Sequence, residues 1–205
     1  MSGVAAVILA AGSGERFAAA GGSTAKALAP FKGAPMVRGV AQIALASRAR
    51  PVVVVTGAQA RDVAGALAGL PIRLARNPAF HDGLSTSLRQ GIAALPLGCA
   101  GALVMLADMP NVEAALLDAM IARFDGARTA LAVVPVRGGR RGNPALLSRA
   151  LFDAVADLTG DEGAGRLLRA LAPSDVLSVE APSGAIFQDA DTPADLARIQ
   201  RAPDA

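Results

Sequence analysis

The sequence has no tryptophan, no tyrosine, one cysteine and one histidine among its 205 residues. The lone thiol, Cys99, excludes an internal disulfide, and no Cys or His partners are spaced around it for zinc. It lies in the apolar stretch before Val104, which favours a buried, inert thiol over a nucleophile. Aromatic side chains make up only 3%, and the basic residues are scattered or confined to one short loop. Cations without interleaved aromatics do not make a nucleic-acid groove. The apolar run at 4–11 has no Lys or Arg before it, so it lacks the basic segment of a signal peptide. Residues 90–107 carry no charge over eighteen positions. Pro96, Gly98 and Gly101 interrupt that stretch, which reads as helix end, loop and buried strand, with no membrane span. A cysteine-poor chain with neither signal is expected in the reducing cytoplasm.

What remains is 53% apolar and rich in alanine, with a net charge of +3. Small side chains suit helices packed closely on a sheet, and the slight positive balance is compatible with a polyphosphate substrate. Continuous apolar runs at 4–10, 52–56 and 102–106 read as strands buried on both faces of a parallel sheet. Weaker runs at 72–74 and 131–135 add strand candidates. Helical spacing fills 36–47, 59–67, 84–94, 112–124, 146–158 and 164–171. Short strands at 176–179 and 185–187 precede a last helix at 193–201. Strand alternating with helix predicts an α/β fold of three layers, α/β/α, around a mostly parallel sheet. No repeat or linker divides the chain, so one domain is expected over 1–201, with a frayed tail at 202–205. In such sheets ligands bind beyond the carboxyl ends of the strands.

The first strand runs into Leu9-Ala10-Ala11-Gly12-Ser13-Gly14-Glu15-Arg16-Phe17. Small residues there let backbone N–H groups approach phosphate oxygens. Phe17 stands where a dinucleotide fingerprint needs its third glycine, and no GxxxxGK[ST] occurs, although Gly22-Ser23-Thr24-Ala25-Lys26 has a similar flavour. Arg16 closes the loop and Lys26 follows in an otherwise uncharged stretch; two cations suit a polyphosphate whose charge grows on the leaving group. Asp108 follows a buried strand directly, where a hard oxygen ligand can hold Mg²⁺ beside phosphates, or can cap a helix. Asp189 and Asp191 alternate after another apolar run and point the same way on extended backbone. They can share a cation, or Asp191 or Thr192 can cap the helix that begins at Pro193. Of the two, Asp191 is nearer the capping position. Gly83 ends a loop, and Ser85 or Ser87 caps or begins the next helix. His81, in that loop, reads more simply as a solvated side chain than as a direct participant. Arg137-Gly138-Gly139-Arg140-Arg141-Gly142-Asn143-Pro144 reads as a basic loop opening a helix, either a solvated turn or a clamp on an anionic acceptor.

These segments together resemble the molybdenum cofactor nucleotidyltransferases, within the sugar- and polyol-phosphate nucleotidyltransferase superfamily. The loop with Lys26-Ala27-Leu28 and Gly33-Ala34-Pro35 is similar to the family pattern LAAGxSxRM…K.L…G.P. Phe17 departs from its Met, and the Arg-to-Lys segment is longer. Asn77-Pro78 with 83–91 is similar to NP…GM.SSL..G, 107–110 to GDMP, and 189–196 to D.DTP.DL. Gly142-Asn143-Pro144 and the 160–166 segment, with Gly165 inserted before Arg166, are similar to GNP and GD.GAR. The resemblance implies a Rossmann-like fold of the nucleotide-diphospho-sugar transferase type. It implies nucleotide contacts from Leu9, Ala10, Ala11, Gly12, Ser13, Gly14, Arg16, Lys26, Asn77, Gly83, Ser85 and Ser87. It further implies catalysis by Arg16, Lys26 and Asp108, Mg²⁺ on Asp108 and Asp189, and acceptor contacts from Asn143, Pro144, Gly160 and Asp161. The implied reaction moves CMP from CTP to molybdopterin or its molybdenum form, with a molybdoenzyme downstream. Leu-Ala-Ala-Gly resembles the cytidylyltransferases and Leu-Ala-Gly-Gly the guanylyltransferases, so the base depends on Ala11. Guanylyl transfer, cytidylyl transfer to a small polyol or sugar phosphate, and a non-catalytic cofactor chaperone stand as alternatives.

Overall fold

The computed structural model describes residues 3–22, 25–127 and 129–201. Ser23 and Thr24 of the Lys26 segment and the expected tail at 202–205 lie outside the described residues. Strand β1 (Gly3–Ala10) forms the centre of the main sheet because every residue from Val4 to Ala10 is apolar and buried. Its pleat divides these residues between two cores: Val4, Ala6, Ile8 and Ala10 face one, Val7, Leu9 and Ala11 the other. Beside β1 run β4 (Val52–Thr56) and β6 (Cys99–Leu106), both parallel to it. Outward from β4 lies β5 (Arg73–Arg76), also parallel.

On the far side of β6 the sheet departs from the expected pattern. Residues 145–148 form strand β9 (Ala145–Ser148), inserted antiparallel between β6 and β7 (Ala132–Arg137), where a helix over 146–158 is predicted. Leu146 packs into one core and Leu147 into the other, as a strand buried on both faces requires. The helical part shrinks to α6 (Phe152–Ala156). The basic loop at 137–144 opens this strand and no helix. It is a tight hairpin of β7 with β8 (Arg140–Arg141), turned by Gly138 and Gly139 at positive φ. Parallel β10 (Val176–Glu180) closes that edge, giving the order β10-β7-β9-β6-β1-β4-β5. The strand expected at 185–187 is a 3₁₀ turn, Gly184–Phe187, in which the Ser183 hydroxyl accepts from Ala185 N–H.

Helices α2 (Met36–Ala46), α3 (Ala60–Ala66) and α5 (Ala114–Asp125) cover one face. Helices α4 (Leu84–Ala93), α6 and α7 (Ala164–Ala170) cover the other, which completes three layers. A third, smaller core joins α1 (Glu15–Ala19), the hairpin of β2 (Pro30–Phe31) with β3 (Ala34–Pro35), and α8 (Pro193–Arg201). Its members include Phe17, Phe31, Met36, Leu196 and Ile199, which bind the end of the chain to the loop after β1. Among the described residues no helix is long and apolar enough to cross a membrane.

Candidate active site

From β1 the chain adds β4 and β5 on one side, then crosses back to place β6 on the other. The strand order thus reverses between β1 and β6, and in open α/β sheets a ligand crevice lies at such a reversal, beyond the carboxyl ends of the strands. A cavity of about 700 Å³ lies there. Leu9, Ala10, Ala11, Gly12, Ser13, Gly14 and Arg16 line one wall, and Lys26 stands behind them. Gly14 adopts φ 70°, and a side chain there would stand 3.0 Å from the Lys26 Cβ. Glycine thus permits both the left-handed turn and the approach of Lys26.

Asp108 leaves the end of β6 beside this loop, where Ala107 N–H donates to the Leu9 carbonyl (3.2 Å). It caps no helix, because α5 begins six residues later after Glu113. One oxygen, Oδ2, lies 2.5 Å from Lys26 Nζ, and both side chains are 18% exposed. The other, Oδ1, is buried with no hydrogen-bond partner among the described residues. A carboxylate that lines the cavity and keeps one oxygen without a partner among the described residues can serve a cation.

The third wall comes from the end of the chain. Ala190 is fully buried in the small third core, and its N–H donates to the Asp108 carbonyl (3.1 Å). Asp189 and Asp191, on either side, both line the cavity. Helix α8 is capped by Thr192, whose hydroxyl accepts from Asp195 N–H while the Asp195 carboxylate accepts from Thr192 N–H. Asp191 is therefore free of the capping role that favoured Asp189 over it. It accepts from Lys26 Nζ at 2.6 Å through Oδ1 and from Arg16 at 2.5 Å through Oδ2. Asp189 makes no hydrogen bond or ion pair among the described residues, so its oxygens remain open to the cavity. The result is an alternating chain, Arg16–Asp191–Lys26–Asp108. Burial alone would lower the Lys26 pKa, but the charge and hydrogen bond of Asp108, then those of Asp191, hold it above 10.5.

Asn77 and Thr86 are buried behind the wall formed by Gly83 and Ser87. Asn77 Oδ1 accepts from Ala79 N–H, and its amide donates to the hydroxyls of Thr86 (2.8 Å) and Ser87 (3.0 Å). The Ser87 hydroxyl therefore keeps its proton for the cavity. The N-cap of α4 is Gly83, at φ 99°, with no side-chain cap bond, so neither serine caps that helix. Ser85 is buried away from the cavity. Its hydroxyl has no partner among the described residues, and its N–H donates to the Gly160 carbonyl (3.0 Å). That contact brings Asp161 to the cavity wall while Gly160 remains behind Gly83. Asn143 and Pro144 do not line the cavity: Asn143 N–H donates to the Ile186 carbonyl, and Pro144 packs near Met105 and Met109. Phe80 and His81, rings 3.9 Å apart, also face the cavity. The residue whose weight local sequence reasoning understates is Asp191, since both its cationic partners are remote in the chain.

Residues 6–176 match the MobA-like NTP transferase domain, whose substrate is a nucleoside triphosphate. A relative from Paenarthrobacter nicotinovorans, named nicotine blue oxidoreductase, is 32% identical over 171 residues, covering 81% of each chain. A nucleotidyl transferase from Methanothermobacter thermautotroptrophicus (Mth528) superposes with TM-score 0.85 at 26% identity, covering 98% of this chain and 97% of that one. Rv0371C from Mycobacterium tuberculosis H37Rv, solved in complex with manganese, superposes with TM-score 0.82 at 24% identity, covering 98% and 100%. A glycine-rich loop, two cations and a half-satisfied carboxylate stand together where the strand order of this sheet reverses, and the chain belongs to the MobA-like NTP transferase family of nucleotidyltransferases.

Proposed function

We propose that the protein, as one domain over 1–201, moves CMP from CTP to the phosphate of a molybdopterin-type acceptor and releases pyrophosphate. The observation that carries this reading is the placement of Lys26 against the half-satisfied carboxylate of Asp108 at the floor of the cavity. A nucleotidyl transfer forms a bond from the acceptor phosphate oxygen to the α-phosphorus. The bond from that phosphorus to the bridging oxygen breaks, and its electron pair leaves with pyrophosphate. Lys26 and Arg16 lie where loop amides would hold the β- and γ-phosphates, so they meet the negative charge as it grows. The Ser87 hydroxyl supplies a donor for an acceptor atom of the base. Ala11 lines the cavity, and in our reading its methyl in place of a glycine favours a pyrimidine base over a purine. Asp161, held at the wall through the Gly160 contact, faces the acceptor side, and we assign Asn143 and Pro144 to that side only as supports.

The donor set fits a hard divalent cation, for which we propose Mg²⁺ on Asp108 Oδ1 and Asp189. Among the described residues no cluster of three ligating side chains occurs, and none is needed, because magnesium completes its shell with water and substrate phosphates. When bound, it would neutralise the α-phosphate and align the two reacting oxygens. The manganese complex of the related Rv0371C supports a divalent ion in this fold.

The test is pyrophosphate release from CTP, GTP and ATP, each with and without molybdopterin and magnesium. Release with CTP and molybdopterin only is the expected result. Release with methylerythritol phosphate in place of molybdopterin would replace the acceptor, and preference for GTP would replace the donor. Binding of nucleotide without release would favour a cofactor chaperone that delivers to a molybdoenzyme.

A further inference from the structure

Asp108 and the carboxylates at 189 and 191 come from segments far apart in the chain, so their spacing depends on what joins those segments. Two direct hydrogen bonds do so, and they flank Asp189. On one side Ala190 N–H donates to the Asp108 carbonyl (3.1 Å). On the other the Asn111 amide donates to the Gln188 side-chain oxygen (3.0 Å). The first is a backbone bond, whereas the second depends on which side chain stands at 111. Asn111 Nδ2 carries two hydrogens, and the other goes to the Ile199 carbonyl (2.9 Å). That carbonyl lies in the last turn of α8, where the helix has no donor of its own to offer. One side chain therefore holds both the approach to Asp189 and the helix that follows Asp191. Its own mount is firm, because Met109 and Val112 are buried in the main core. The Gln188 backbone is fixed in turn by its N–H bond to the Ala185 carbonyl (3.1 Å).

We propose that Asn111 is a positioning residue for the divalent cation site: through Gln188 it holds the 188–191 segment at the distance from Asp108 at which carboxylates of both segments can share one ion. The inference rests on the reading of Asp108 as a metal ligand, and it holds whichever carboxylate of the 188–191 segment joins it. Asn111 itself touches no reacting atom. A neutral carboxamide suits the task, because it supplies two donors and brings no charge of its own to the site. Removing a side chain that holds metal ligands in place typically costs about tenfold or more in metal affinity.

The experiment is titration of the full chain with Mn²⁺ alone, followed by the paramagnetic resonance of the free ion. Asn111→Leu keeps the side chain's shape without its donors and should weaken Mn²⁺ binding about tenfold. Gln188→Met should weaken it in the same direction. The double variant should lie within about twofold of Asn111→Leu, since both changes remove one connection. Val155→Ala, a cavity in the other core, lowers the melting temperature without touching either segment and should leave Mn²⁺ affinity within about twofold of the wild type. Unchanged affinity in Asn111→Leu, or losses that multiply in the double variant, would overturn the proposal. A loss in Val155→Ala as large as that in Asn111→Leu would overturn it too, because general loosening would then account for both. A wild type whose Mn²⁺ affinity does not respond to Asp108→Asn would instead sink the reading of Asp108 as a ligand.

Discussion

Replacing Asp108 by Asn removes one charge while keeping the side chain's shape, and its neighbours set the size of the response. Lys26 loses its 2.5 Å partner but keeps Asp191, so the ammonium is not left stranded. The lost pair is partly exposed and worth up to about 1 kcal/mol. For a protein of this size that lowers the melting temperature by about 2–4 °C. The chemical cost is larger. The buried Oδ1, which has no partner among the described residues, becomes part of an amide and no longer offers a full negative charge to a cation. Losing a preorganised partner of the developing charge typically costs about 10²–10³ in rate, or about 2.7–4 kcal/mol. Pyrophosphate release at saturating CTP, acceptor and magnesium should therefore fall about a hundredfold or more, while the KM for CTP changes far less. A turnover within about threefold of the wild type would refute the reasoning, because Oδ1 would then be an ordinary buried acceptor.

Gly83→Ala tests the contact that carries Asp161 to the cavity. A Cβ there would overlap the Gly160 backbone, and φ 99° is strained for any L side chain, so urea denaturation should show a loss of about 2–4 kcal/mol. Lys26 gives an alkaline signature with a definite sign. Its pKa is raised in the folded protein, so its stabilising contribution is complete below 10.5 and is lost as pH rises through the folded value. Unfolding free energies measured as pH rises above about 10.5 should decline in the wild type, and Lys26→Met should lack its share of that decline. An identical slope in both proteins would contradict the ion-pair geometry.

Much of this arrangement is legible in the sequence because its causes are local. Three charge-free apolar runs become β1, β4 and β6, and the residues just past them face the crevice as the parallel sheet requires. Strand β9 is hidden for a physical reason. Leu146, Leu147, Leu151, Val155 and Leu158 recur at helical spacing, while the strand is only four residues long and has no period to display. Its identity depends on pairing with β6 and β7, whose partner residues lie well back along the chain. Asp191 fails in the same way. Locally it precedes Thr192-Pro193 and reads as a cap; its partners Arg16 and Lys26 lie 175 and 165 positions away.

The same remoteness shapes how the site is completed. The family match ends at residue 176, so the segment carrying Asp189 and Asp191 lies beyond it. Among the described residues, one backbone bond ties that segment to the end of β6, from Ala190 N–H to the Asp108 carbonyl. The Asn111 amide adds bonds to the Gln188 side chain and the Ile199 carbonyl. Most of the remaining attachment is apolar: Leu196 and Ile199 of α8 pack with Phe17, Phe31 and Met36. Phe17 is the residue directly after Arg16, so one side of α1 anchors the end of the chain while the other presents the guanidinium to Asp191. Burial of that small core is what brings a distant carboxylate into the charge chain. The electrostatics of the site are therefore only as rigid as the packing of Phe17 against Leu196 and Ile199. A cavity-forming change in that core should loosen the ion pairs without touching a charged residue.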